Sequence, residues 1–160
     1  MKIKINELMG HSKIEFDFTA DSIDGIDLKG DVHVTGIAYN NGTQYIVTGE
    51  YKTTVTTQCV KCLENILETM EGSFEGKFLD SKSYKEYLKS LASDSELGEE
   101  SLDEAVNGEI DILELVRQYI ILDLPLYPAC VPMCKDASAL EKYSDDGIDP
   151  RWQQLLQIKN

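Results

Sequence analysis

Apolar and polar residues alternate in short bursts through the first half of the chain. "KIKI" and "KIEFDF" each repeat with a period of two, and "GDVHVTGIAY" follows with valines, Ile37 and Tyr39 spaced by polar residues. That period predicts strands with one face turned inward. "NNG" at 40–42 supplies an Asn-Gly pair that tolerates a tight turn, so the chain is expected to return as a hairpin partner through "TQYIVTGEYKTTVTTQ". In the return strand Tyr45, Val47, Tyr51 and Val55 fall on one side and Thr48, Glu50, Lys52, Thr54 and Thr56 on the other. The first set reads as buried and the second as wet.

Beyond "QCVKCLENI" two periods compete. Leu63, Ile66, Leu67 and Met70 fit a helical stripe, whereas Ile66, Met70, Phe74 and Phe78 fit a strand. Gly72 and Gly76 decide between them, because each glycine costs a helix interior about 1 kcal/mol relative to alanine. The expectation is a strand over 66–78, with Cys59 and Cys62 in the turn that leads into it. "SKSYKEYLKSL" at 81–91 predicts a short helix, and the stretch at about 92–109 carries seven acids and no base, which reads as a solvated acidic loop.

"EIDILELVRQYIILDLPLYP" is the strongest helical signal. Asp111 is placed to cap it, with Glu114 three residues on as a variant capping box. Apolar residues from Ile112 to Leu122 cover most of its circumference and leave Glu114, Arg117 and Gln118 as a narrow polar strip, so a mostly buried helix over about 111–123 is expected. Pro125 ends it and Pro128 keeps the exit extended toward Cys130 and Cys134. Near the C-terminus, "GIDPRWQQLLQ" places Pro150 to start a short helix with Trp152, Leu155 and Leu156 on one side. That helix either docks on the sheet or offers Arg151 and Trp152 as anchors for a partner.

These elements predict an α+β fold: an antiparallel sheet, open or curling toward a barrel, with a buried helix and a short C-terminal helix. The 160 residues suffice for a single domain over 1–160. No run of eighteen apolar residues occurs and the first twenty residues alternate, so a soluble cytoplasmic protein without membrane contact is expected.

Charge narrows the function. The sequence holds 29 acidic and 15 basic residues, a net of −14. Nucleic-acid affinity is built largely from lysine and arginine, so direct RNA or DNA binding is expected to be weak or absent, while a basic protein would be attracted. His11 and His33 fall in no metal or catalytic spacing and read as a turn residue and a sheet residue. No phosphate-cradling glycine loop and no catalytic constellation appears, so the expectation is a protein that is not an enzyme.

The four cysteines fall in two close pairs, "CVKC" and "CVPMC". Four thiolates from two turns suit tetrahedral Zn²⁺, making Cys59, Cys62, Cys130 and Cys134 candidate ligands. Two other readings stand beside this one. The cysteines could be unliganded structural residues, or Cys59 and Cys62 a thiol-redox pair, which would need Cys59 at a helix N-terminus. Leu63 and Glu64 stand where a metal knuckle usually has glycine or another small residue.

"GEYKTTVTTQCVKCLENI", "GEIDILELVRQYIILDLPLYPAC" and "DPRWQQLL", in that order between about Gly30 and Leu156, resemble the YceD family, the large ribosomal RNA subunit accumulation proteins. The family usually has arginine where Lys61 stands, and many relatives extend the downstream cysteines into a longer cysteine-rich segment that this chain lacks. The resemblance implies a non-enzymatic accessory role in accumulation or processing of 23S ribosomal RNA. Combined with the charge, it points to a basic ribosomal or rRNA-processing protein as partner.

Overall fold

The computed structural model describes residues 1–9, 13–93 and 101–135. The chain divides into two compact units, one formed by Met1–Thr57 with Leu67–Leu126 and the other by Gln58–Ile66 with Tyr127–Asn160.

The larger unit is an α+β structure. Strands β2 (Lys13–Ala20), β3 (Val32–Asn40), β4 (Tyr45–Gln58) and β5 (Asn65–Leu79) lie side by side in that order, and β6 (Asp103–Glu104) adds a short parallel edge to β5. A separate pair joins β1 (Lys2–Lys4) to β7 (Glu109–Asp111), antiparallel, with Ile3 opposite Ile110. Helix α1 (Ser81–Ser93) follows β5, and helix α2 (Ile112–Asp123) follows β7 directly.

The alternations foreseen from sequence set the faces. Val32, Val34 and Ala38 of β3, Val47, Tyr51 and Val55 of β4, and Met70, Phe74 and Phe78 of β5 are buried in one apolar cluster. Residues 65–79 form a strand as the glycines require, and Leu67, which the helical alternative would bury, is exposed. The β3–β4 turn is tied by Asn41, whose Oδ1 accepts from the amides of Thr43 and Gln44 at 3.0 and 2.8 Å, while Gly42 takes φ +98°.

Where β3 and β4 cross, Gly36 pairs with Gly49. A Cβ on Gly36 would come within 2.6 Å of Phe16 Cζ, and one on Gly49 within 2.6 Å of Phe74 Cζ. The glycines are therefore seats for two phenyl rings, which cover backbone that would otherwise have no side chain over it.

Of the two sheet forms the sequence allowed, the open one is found. The five-stranded sheet is open, with β2 and β6 at its edges. β6 pairs only two residues, Asp103 and Glu104, with Phe78 and Leu79, which is too short to carry the sheet around on itself. The apolar face is completed by α2 instead: Ile112, Leu115, Val116 and Ile120 join the cluster, and Tyr119 donates its hydroxyl to the Glu75 carbonyl at 2.8 Å.

Asp111 caps α2 as expected, accepting from the amides of Leu113 and Glu114. The capping box stays half made, because Glu114 Oε1 accepts from Arg117 Nη1 at 2.9 Å. The helix is also less enclosed than its apolar residues suggest, since Ile121 and Leu122 are exposed. One sheet covers one side of a helix, and the i, i+3, i+4 stripe from Ile112 to Ile120 is enough to fill it. The C-terminal end is fixed by Asp123, which accepts a short hydrogen bond from the Tyr51 hydroxyl. Burial, and then this carboxylate, push the Tyr51 phenol well above its usual range. A Cβ on Gly72 would lie 2.8 Å from Asp123 Oδ2, so the absence of a side chain there leaves room for the contact.

The acidic stretch is a loop only in part. Residues 94–100 lie outside the described residues, but β6, a single 3-10 turn at Val106–Gly108 and β7 occupy its far end. Strands of two and three residues carry no periodicity to read. The expected C-terminal helix with Arg151 and Trp152, and His11, lie outside the described residues. No helix of the described residues is long and apolar enough to cross a membrane.

Candidate metal centre

The smaller unit is built from two cysteine turns. The first begins where β4 ends: the Cys59 carbonyl accepts from the Leu63 amide at 2.9 Å and the Cys59 amide donates to the Glu64 carbonyl at 2.9 Å. Gln58 Nε2 donates to the Leu63 carbonyl at 2.9 Å. To close the turn Leu63 takes φ +62°, a left-handed conformation usual for glycine. The glycine absent from the sequence is thus absent from the side chain only; its backbone conformation is kept, at a cost of about 1–2 kcal/mol for a residue with a Cβ. Leu63 is exposed, so its side chain gains little burial in return.

The second turn follows Pro128, whose carbonyl accepts from the Val60 amide at 2.9 Å. That bond ties the two segments together beside the cysteines. Cys59 and Cys134 are buried, and Cys62 and Cys130 are half-buried.

All four sulfur atoms lie within 4.8 Å of one another. Cys59 Sγ is 3.7 Å from Cys134 Sγ, and Cys62 Sγ is 3.5 Å from Cys130 Sγ. Four thiolates at about 2.3 Å from a central Zn²⁺ would stand about 3.8 Å apart along the edges of a tetrahedron. The spacing fits. The soft, all-sulfur donor set suits zinc or iron and is wrong for magnesium or calcium.

A cation between the sulfurs would relieve their mutual electrostatics. The amides of Cys62, Lys61 and Cys130 hydrogen-bond to Cys59 Sγ and, against its burial, draw its pKa down to about 6. Its neighbours move the other way. The hydrogen bond with Cys62 and burial push Cys130 up to about 12, and Cys134 is raised chiefly by burial. A group of thiols this close cannot ionise together in water-poor surroundings without a positive charge among them, and a divalent metal supplies one while displacing the protons. The backbone amides govern the Cys59 thiol.

The arrangement does not suit a thioredoxin-like pair. Residues after Cys62 enter β5, so among the described residues no helix N-terminus faces Cys59. The shortest sulfur approaches also join the two turns.

Leu63 gives a prediction. Leu63→Gly removes the left-handed strain but makes the unfolded chain more flexible, so a net gain of about 0.5–1 kcal/mol is expected in the metal-loaded protein. A chemical-denaturation midpoint at or below that of the parent would show that the turn is not strained.

His33 is an exposed strand residue whose Nε2 lies 2.7 Å from Asp17 Oδ1, a surface contact between β3 and β2. It takes no part in the cysteine cluster.

No curated protein and no solved structure matches the chain. One protein family does, described as large ribosomal RNA subunit accumulation protein YceD, over residues 47–159. The matched span starts in β4 and takes in both cysteine pairs and α2. It covers well over half of the 160 residues, and on that match the chain belongs to the YceD family.

Proposed function

We propose that this chain is a non-enzymatic cytoplasmic accessory protein of ribosome biogenesis, which supports accumulation of 23S ribosomal RNA by binding a basic ribosomal or rRNA-processing protein. The family match over residues 47–159 carries this reading, because that family's description ties it to large-subunit ribosomal RNA. The net charge of −14 supports the protein-mediated route over a direct grip on RNA. Arg151 and Trp152 remain proposed partner anchors.

In this reading Cys59, Cys62, Cys130 and Cys134 hold a structural Zn²⁺. Four protein ligands leave no open coordination position, so the ion would fix the two turns together and would not activate water or substrate. A metal or thiol-redox protein without a ribosomal role is the second reading, and the sulfur geometry favours its metal form.

Depletion of the protein is expected to lower 23S ribosomal RNA relative to 16S, with the parent gene restoring it. RNA-blot ratios measure this directly. Unchanged ratios would overturn the ribosomal assignment. In a filter-binding assay the purified protein is expected to hold large-subunit RNA only weakly at physiological salt. Submicromolar affinity without a protein partner would overturn the protein-mediated route.

A further inference from the structure

The four sulfurs of the cluster are not equivalent. Cys59 and Cys134 are 0 and 9 % exposed, whereas Cys62 and Cys130 are half-buried. Thiolate character and exposure together decide which cysteines oxidise, and in a four-thiolate site every sulfur is a thiolate. Exposure is then the difference, and it singles out Cys62 and Cys130. These two also face each other across the turns with Sγ atoms 3.5 Å apart, the shorter of the two contacts that join the turns. A disulfide brings its sulfurs to about 2.0 Å, so a closure of roughly 1.5 Å would join them. The segments that carry them are already tied by the Val60 amide on the Pro128 carbonyl.

We infer that Cys62 and Cys130 are an oxidation site for hydrogen peroxide, which converts them to a disulfide bridging the two turns and releases the metal. The release rests on the structural-metal reading above, while the choice of pair rests on sulfur positions and burial alone.

The chemistry closes without a further reagent. One thiolate attacks a peroxide oxygen: an S–O bond forms, the O–O bond breaks, and the departing hydroxide takes a proton to become water. The second thiolate attacks the sulfenic sulfur, the S–S bond forms, the S–O bond breaks, and the hydroxide expelled is protonated to a second water. Each sulfur loses one electron and the peroxide gains both. Cys59 and Cys134 are left as two ligands where four were needed, and they take up protons as the ion departs. The new covalent bond then holds the turns together in place of the metal, and a dithiol reductant reverses the change.

The probe is one equivalent of hydrogen peroxide added to the zinc-loaded full-length chain, with released zinc followed by a chromogenic chelator and free thiols then blocked with N-ethylmaleimide. Trypsin cleaves after Lys61 and cyanogen bromide after Met133, which puts each cysteine on its own peptide and lets mass spectrometry read the link directly. About one ion per chain is expected to leave as two thiols disappear, with Cys62 to Cys130 as the main link, and dithiothreitol is expected to restore zinc uptake. Hydrogen exchange at the Val60 amide is expected to stay slow in the oxidised chain and to accelerate in chain stripped by a chelator under reducing conditions. A main link between Cys59 and Cys134 or within either turn, or oxidation to sulfinic acid with no link, would overturn the inference. So would zinc retained with all four thiols intact. A parent chain without metal that still forms the Cys62 to Cys130 link would overturn the metal reading and the release that rests on it, and would uphold the pair.

Discussion

Cys134→Ser is expected to weaken metal binding about a hundredfold and to loosen both cysteine turns. Structural zinc sites of this ligand type hold their ion with about 10–16 kcal/mol, so losing one of four thiolates removes roughly 3 kcal/mol, or about a hundredfold in affinity. Cys134 is buried, with its Sγ 3.7 Å from that of Cys59, so serine would put a harder and shorter donor where little water can take its place. Metal per chain, measured by mass spectrometry on protein purified without a chelator or histidine tag, is expected near one in the parent, and a competing chelator is expected to strip the variant at about a hundredfold lower concentration. Hydrogen exchange at the Val60 and Leu63 amides, which bond to Pro128 and Cys59, is expected to accelerate in step. Zinc and iron are separated by the same elemental analysis. A parent chain free of metal, or a variant that holds it as tightly as the parent, would end the metal assignment.

Gly49→Val is expected to destabilise the larger unit by about 3 kcal/mol or more, the upper end of the cost of overpacking. Its Cβ would press on the Thr35 carbonyl of the neighbouring strand and lie 2.6 Å from Phe74 Cζ, while the paired glycine at 36 carries Phe16 in the same way. A phenyl ring can swing away, but a backbone carbonyl in a sheet ladder cannot. Phe74→Ala alone is expected to cost about 3–5 kcal/mol through the cavity it leaves. Combined with Gly49→Val it is expected to cost less than the sum, because the valine has one obstacle fewer. Denaturant melts of the four proteins give the coupling, and strict additivity would mean that the ring and the glycine do not share this space.

Much of this structure could be read from residues alone, wherever a period or a cap repeats long enough to leave a signal. The long strands β3 to β5 and the capped start of α2 belong to that class, and so does the grouping of cysteines in two pairs. Three features did not. β6 and β7 are two and three residues long, so no alternation can announce them. The seats at Gly36 and Gly49 depend on which residues face each other across a hairpin, and a register is not written in either strand by itself. Leu63 hid the first cysteine turn because the usual glycine signal is missing while its backbone conformation is retained. In α2 the sequence overstated burial, since a mostly apolar circumference cannot tell which side meets the sheet.

The order of synthesis adds a consequence to the two cysteine turns. Cys62 and Cys130 are 68 positions apart. At about 5–20 residues per second, the first pair waits roughly 3–14 s before its counterpart is translated. During that interval the nascent polypeptide carries two unquenched sulfhydryls next to a strand already able to pair. β1 waits longer still, because its mate β7 begins at Glu109. Maturation of this protein therefore waits for the segment through Cys134 to be made, on the machinery whose RNA its family is named for.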